Sequence, residues 1–281
     1  MRIIEFEINP CDSGKSIRDY LRDFGVSSAL LTKLKQTENG ITINGEFARA
    51  IDKLSAGDRL KISIENKGKM PSKLICPEVQ MAYDDEDILV LNKPAFMPVH
   101  ESRNHQGDTL ANAAACYMSN TAFRAVYRLD RDTSGLVLIA KNELAASKLA
   151  GNIKKDYYAI ICGELNGSGI IDLPIRRVSE SIIERGVFDD GEKAVTHWEA
   201  VGTKDGKTLL KINLETGRTH QIRVHFSHLG YPLLGDTLYG GDSELINRQA
   251  LHCKTIYFNH PITNNKIVID SNFPSDFEGL I

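Results

Sequence analysis

The hydrophobic positions of the opening stretch recur at two spacings. Ile17, Tyr20, Leu21 and Phe24 fall at i, i+3, i+4 and i+7, which predicts one apolar helical face that Gly25 can stop. Ser27 or Ser28 can cap a second short helix carrying Leu30, Leu31 and Leu34. Asn39-Gly40 and Asn44-Gly45 mark turns on either side of Ile41-Thr42-Ile43. After a further turn at Ala56-Gly57-Asp58, Leu60-Lys61-Ile62-Ser63-Ile64 alternates with the period of a strand. Residues 1–66 therefore read as a small α/β module. From 67 to 77 the chain turns polar, basic and punctuated (Lys67, Gly68, Lys69, Pro71, Lys73), which predicts a linker.

The remainder, 78–281, mixes short strands with helices. Ile88–Leu91, Leu136–Ala140, Tyr158–Cys162 and Leu209–Leu214 have strand character. Asp108 is expected to cap a helix through Ala111–Met118, and Asn142 one through Leu144–Leu149. Further on, Thr219 is expected to cap a helix whose buried face carries Ile222, Phe226 and Leu229, with Gly230 as the stop. Strands and helices do not alternate strictly. An α+β class with a mixed, largely antiparallel sheet follows, rather than a doubly wound one.

Composition narrows the setting. The 281 residues are 42% apolar and 25% charged, and no apolar run approaches the ~20 residues of a spanning helix. Met1-Arg2-Ile3-Ile4-Glu5 lacks the layout of a signal peptide, so a cytoplasmic location is expected. The five cysteines (Cys11, Cys76, Cys116, Cys162 and Cys253) are scattered and form no C-x-x-C pair; they read as reduced thiols and small core residues. The net charge is −3, yet residues 1–76 carry 13 Lys/Arg against 10 Asp/Glu. A local positive stripe is therefore compatible with the overall sign.

Three segments carry candidate chemistry. In Tyr127-Arg128-Leu129-Asp130-Arg131-Asp132-Thr133-Ser134-Gly135, loop formers abut a buried strand, so a carboxylate there is rigidly placed and can face a cleft. Arg124, Arg128 and Arg131 are expected to crowd around Asp130. In Leu214–His225 the helix puts His220 and Arg223, three apart, on one face, from which Arg223 can reach a carboxylate across a cleft. In Lys154–Gly163 successive tyrosines point to opposite faces of a strand, so one of the two can stack on a base or pass a proton. Ile88–Pro94, a buried strand running into a rigid turn, reads as a structural corner. His220, His225 and His228 are spaced by five and three, unlike a helical zinc pair, and no metal is expected.

Taken in order, these pieces resemble the RluA-type family of pseudouridine synthases. The matching fragments are Asn92-Lys93-Pro94, Arg128-Leu129-Asp130-x-x-Thr133-Ser134-Gly135, Lys155-x-Tyr157-x-Ala159, Thr216–His225 and Gly235-Asp236-x-x-Tyr239-Gly240. Residues 12–64 also resemble the small S-four-like RNA-binding module that often precedes this catalytic domain, through Leu34-Lys35, Ile43-Asn44-Gly45 and Ala56-Gly57-Asp58. The resemblance implies isomerisation of uridine to pseudouridine in structured RNA, ribosomal RNA before tRNA, without cofactor or metal. It implies Asp130 as the catalytic carboxylate, Arg223 as its partner and Tyr157 as the ring stacked on uracil. Arg128 would fill the space left by the flipped base, and Arg18, Arg22, Lys33 and Lys35 would face RNA. The family commonly has histidine where this chain has Tyr127, and frequently glycine where it has Phe96. Two other readings use the same residues: a non-catalytic RNA-binding or ribosome-assembly protein, and an N-glycosidase with Asp130 as nucleophile.

Overall fold

The structure, a computed structural model, describes residues 1–66, 71, 75–118, 122–179 and 183–280. Most of the expected linker over 67–77 lies outside them. Strands β1 (Arg2–Glu7), β2 (Ile41–Ile43), β3 (Glu46–Phe47) and β4 (Arg59–Ile64) form an antiparallel sheet in the order β1-β4-β2-β3. Helices α1 (Ile17–Asp23) and α2 (Ser28–Gln36) pack on it, their N-termini capped by Ser16 and Ser27. The apolar faces expected for both helices are the core: Ile17, Leu21, Leu30, Leu31 and Leu34 are buried with Leu60 and Ile62.

That first core is completed from further along the chain. Leu144, on helix α4 (Glu143–Leu149), is fully buried within it, and Ile262 packs at its margin. Arg2 donates two hydrogen bonds of 2.9 Å to the Asp87 carboxylate, and Lys33 pairs with Glu143 at 2.6 Å. The front unit is thus seated on the rest of the protein by apolar burial and by charge.

The second unit contains β5 (Gln80–Asp84), β6 (Ile88–Lys93), β7 (Ser134–Ala140), β8 (Lys154–Cys162), β9 (Ser168–Asp172), β10 (Ile175–Arg177), β11 (Arg185–Val187), β12 (Val195–Lys204), β13 (Lys207–Leu214), β14 (Leu251–Asn259) and β15 (Lys266–Asp270). Strands β10 and β11 pair separately. The other nine make one sheet in the order β5-β6-β7-β14-β8-β13-β12-β9, with β15 on β14. Among the described strands only β7 and β14 run parallel, so the sheet is mixed and largely antiparallel, as the sequence pattern indicates. Every residue of β7 is buried. Gly135 is required at its start: its φ is +118°, and a Cβ there would lie 2.3 Å from the carbonyl oxygen of Cys253 on β14.

Several local expectations need correction. Thr109, not Asp108, caps α3 (Leu110–Tyr117), because its extended backbone aims the hydroxyl at the Asn112 N–H while Asn112 returns a bond to the Thr109 N–H. Asp108 instead meets His105 at 2.7 Å. Helix α5 (Gln221–His228) begins after His220, which stands in the left-handed region at φ 58°, not after a Thr219 cap. Leu229 lies beyond the end of α5 and is 43% exposed, so only Ile222 and Phe226 of the expected face are buried. Cys76 and Cys116 are not free thiols. The fold brings their Cα atoms to 5.9 Å and they form a disulfide, a proximity that a spacing of 40 residues does not reveal. Cys253 is a buried free thiol, as expected of a small core residue.

Two buried or strained positions give measurable consequences. His252 lies between the Ser134 and Ser271 hydroxyls, at 2.9 and 3.0 Å from its two ring nitrogens, and burial lowers its pKa to about 4. The unfolded chain, with an imidazole titrating near ~6.5, binds this proton more readily. Stability should therefore fall as pH drops from about 6.5 towards 4, by on the order of 3 kcal/mol from this group. Denaturant titrations at a series of pH values should show that slope flattened in His252→Gln; an unchanged slope would remove His252 as its source. Phe96 holds φ 62° with its ring 51% exposed, a conformation that costs a side chain about 1–2 kcal/mol and a glycine far less. Phe96→Gly should raise stability by about 0.5–1 kcal/mol, read as a higher Tm, whereas a lower Tm would mean that the ring packs usefully.

Candidate active site

The loop between Leu129 and Thr133 is carried on the buried start of β7 and is tied down through its backbone. The Thr133 N–H closes the turn onto the Asp130 carbonyl at 3.2 Å. Beneath it, the fully buried Lys93 at the end of β6 donates from Nζ to the carbonyls of Pro94, Met97 and Arg131 at 2.8–2.9 Å. Burial pushes this amine down to about 7. Arg248 Nη1 donates to the Asp132 carbonyl at 3.2 Å, and Gln249 Nε2 to Thr133 Oγ1 at 3.2 Å. Arg248 is in turn held by Asp276 on α6 (Ser275–Glu278) through bonds of 2.6 and 2.8 Å. The stretch read as a structural corner thus supports the loop that presents Asp130.

Asp130 keeps a partly exposed carboxylate at the lip of this loop. Arg223, one turn into α5, donates to it from Nη1 at 3.2 Å, the cross-cleft contact expected from the sequence. The stronger grip on Arg223 comes from elsewhere: Nε and Nη2 bind both oxygens of Asp236 at 2.7 and 2.8 Å. Asp236 is almost wholly buried. Burial opposes the charge on Arg223, but hydrogen bonds and attraction from Asp236, and then Asp130, overcome it and raise the guanidinium pKa above its usual value. Tyr239 lies under the guanidinium at 4.9 Å from its ring centroid, and its hydroxyl meets His220 Nδ1 at 2.9 Å. The other nitrogen of His220 stands 3.8 Å from Asp130. Burial lowers the His220 pKa, despite the nearby Asp130.

Asp130, Tyr157, Arg128 and Arg223 line one cavity of about 80 Å³. Leu214, Ile222 and Leu251 give it apolar walls suited to a flat ring. It opens into a groove of about 1220 Å³ bounded by residues 98–102, 125–131 and 214–219. Tyr157 is the tyrosine of its pair that faces the site; Tyr158 packs edge-on against Phe273 instead. Burial raises the Tyr157 phenol well above its usual pKa, so it stays protonated at neutral pH. Tyr127 fits its position by donating to the Leu136 carbonyl at 2.9 Å, with the Lys155 ammonium 4.5 Å above its ring.

Other expected neighbours are absent from the site. Arg124 turns away to Asn66 and the Ala122 carbonyl, and Arg131 makes two bonds to Asp132, so neither reaches Asp130 in the hydrogen bonds described. Of the four cations expected to face RNA, Arg18 pairs with its neighbour Asp19 and Arg22 donates to Ser28. Lys33 is engaged by Glu143, and Lys35 is exposed. His225 is structural, with its nitrogens 2.9 Å from Thr196 Oγ1 and the Leu173 carbonyl. Among the described residues the side chains close enough to share a metal are Asp85, Asp87 and His260, and Asp87 is already bound by Arg2 and Asn142. Lys93 and Asp236 stand in fragments that carry the resemblance, but their roles as loop support and Arg223 partner are visible only in the fold.

Residues 87–228 match the family described as RNA pseudouridylate synthase. The RNA pseudouridine synthase YjbO of Bacillus subtilis is 40% identical over 277 residues, 95% of this chain and 98% of its own. The ribosomal large subunit pseudouridine synthase D of Pseudomonas aeruginosa is 36% identical over 264 residues, 86% of this chain and 82% of its own. In fold, the human RNA pseudouridylate synthase domain containing 1 superposes with a TM-score of 0.60 at 23% identity, covering 73% of this chain and 87% of its own. Among the described residues no helix is long and apolar enough to cross a membrane. By the family match over residues 87–228 and by relatives 36–40% identical over most of its length, the chain belongs to the RluA-type family of RNA pseudouridine synthases and is an RNA-modifying isomerase.

Proposed function

We propose that the protein isomerises specific uridines of ribosomal RNA, with Asp130 as the catalytic carboxylate. One observation carries this reading: Asp130 is the carboxylate lining the cavity, and the Arg223 that aims it is locked by a second carboxylate outside the cavity. Ribosomal RNA is favoured over tRNA because the relatives named ribosomal large subunit pseudouridine synthase D align over most of this chain. The front unit, residues 1–66, fits an S-four-like RNA-binding domain ahead of a catalytic domain over 78–281.

The reaction breaks the bond from the sugar C1′ to uracil N1 and forms one from C1′ to C5. The proton leaves C5 and N1 ends protonated, so the product is an isomer and no electrons are gained or lost. The base must first leave its stack, at a cost of a few kcal/mol. Arg128, exposed at the mouth of the cavity, is placed to fill that gap. The Tyr157 ring and the apolar walls hold the detached uracil and exclude water, which would otherwise give hydrolysis. Because Tyr157 remains a neutral phenol, stacking suits it better than removing the C5 proton. A carboxylate at the Asp130 position serves two routes, addition to C1′ or removal of the 2′ proton, and both need the same aim from Arg223. Asp236 is a positioning residue, since it acts through Arg223.

Two variants test these roles in an assay that follows release of tritium from 5-tritiated uridine in unmodified ribosomal RNA. Asp130→Asn should lose about 10⁴-fold or more in turnover while RNA affinity stays within a few-fold. Turnover near wild type would sink the assignment, and released free uracil from the wild type would point to an N-glycosidase. Asp236→Asn should lower kcat about 10²-fold through misaimed Arg223 with KM little changed, and Asp236→Glu should recover part of it. Unaltered kcat in a folded Asp236→Asn protein would show that Asp130 needs no second carboxylate.

A further inference from the structure

A second groove, of about 550 Å³, lies between the end of α4, the start of β8 and the β14–β15 hairpin. Three lysines line it, Lys148, Lys154 and Lys266, and no carboxylate does. Among the described ion pairs none involves these three lysines, whereas Lys211 and Lys254 on neighbouring strands of the sheet are each matched by an acid. On a chain of net charge −3, three lysines around one groove without a lining carboxylate make a local positive patch.

Its position says which anion it suits. Lys154 lines both this groove and the larger one that opens from the Asp130 cavity, so the two are neighbours across that side chain. At the other end Lys148 lays its stem along Gly25 and its ammonium 3.8 Å over the Phe24 ring, both residues of the front unit. Lys154 therefore borders the catalytic groove and Lys148 the seam with the front unit, with Lys266 at the start of β15 on the same groove. A flexible polyanion that already has one nucleotide in the cavity is the ligand this layout fits.

We propose that this groove carries the phosphate backbone flanking the target uridine, leading the substrate RNA from the catalytic groove past Lys154 to the front unit. The inference rests on RNA being the substrate, but not on the role of Asp130. Phosphate contacts of this kind release counterions, and each contributes about 0.7–0.9 to the slope of log affinity against log salt.

The test compares wild type with a Lys148→Ala/Lys154→Ala/Lys266→Ala variant, binding unmodified ribosomal RNA over a range of salt. The expected result is a slope shallower by about 2, a raised KM and a kcat at saturating RNA equal to wild type. A control, Lys204→Ala/Lys207→Ala at the β12–β13 turn, removes positive charge away from the groove. An unchanged slope in the triple variant, or an equal loss per lysine in the control, overturns the proposal. The slope is a binding measurement, so it decides the matter even if Asp130→Asn shows the catalytic assignment to be wrong.

Discussion

One guanidinium between two carboxylates is the constraint on which the rest of the site depends. Arg223 is buried, and a buried cation with a missing partner is worth several kcal/mol of instability. Asp236 meets that demand with two short bonds, which leaves Nη1 for Asp130. The division of labour is unequal by geometry: Asp236 is sealed in, whereas Asp130 keeps an exposed edge on the cavity. The same contact joins three distant parts of the chain, the loop before β7, helix α5 and the turn after Leu234. Cooperative folding of those parts and alignment of the carboxylate are one event.

The loop bearing Asp130 is held mainly through its backbone, with one further bond to the Thr133 hydroxyl. Lys93 and Arg248 donate from below to its carbonyl oxygens, and Gln249 to the Thr133 hydroxyl. This frees Arg128 and Asp130 to face the groove. At the foot of the same stretch Gly135 brings β7 and β14 closer than a side chain there would allow.

Much of this was legible in the sequence, and the limits have physical causes. The helical faces of α1 and α2, the strand β7 and the pairing of Arg223 with Asp130 follow from spacing and from the family resemblance. The edge strand β1 went unnoticed because only Ile4 of its six residues is buried, so its alternation is faint. Lys93 looked like part of a rigid corner because periodicity reports apolar burial and is silent on a lysine with three carbonyl acceptors. Closeness along the chain does not bring Arg124 and Arg131 to Asp130, because neighbours in a loop point apart and these two have other partners. The Cys76–Cys116 bridge and the Asp236 partnership arise only when separate elements are brought together.

The burial of Leu144 inside the front core has a consequence for choosing a target. A unit whose core is finished by another unit's side chain cannot move away without opening that core. Its face therefore lies at a set distance and direction from the Asp130 carboxylate. If the front unit binds RNA as proposed, a fixed offset of this kind would act as a ruler, with the landmark held at one end setting which nucleotide arrives at the other.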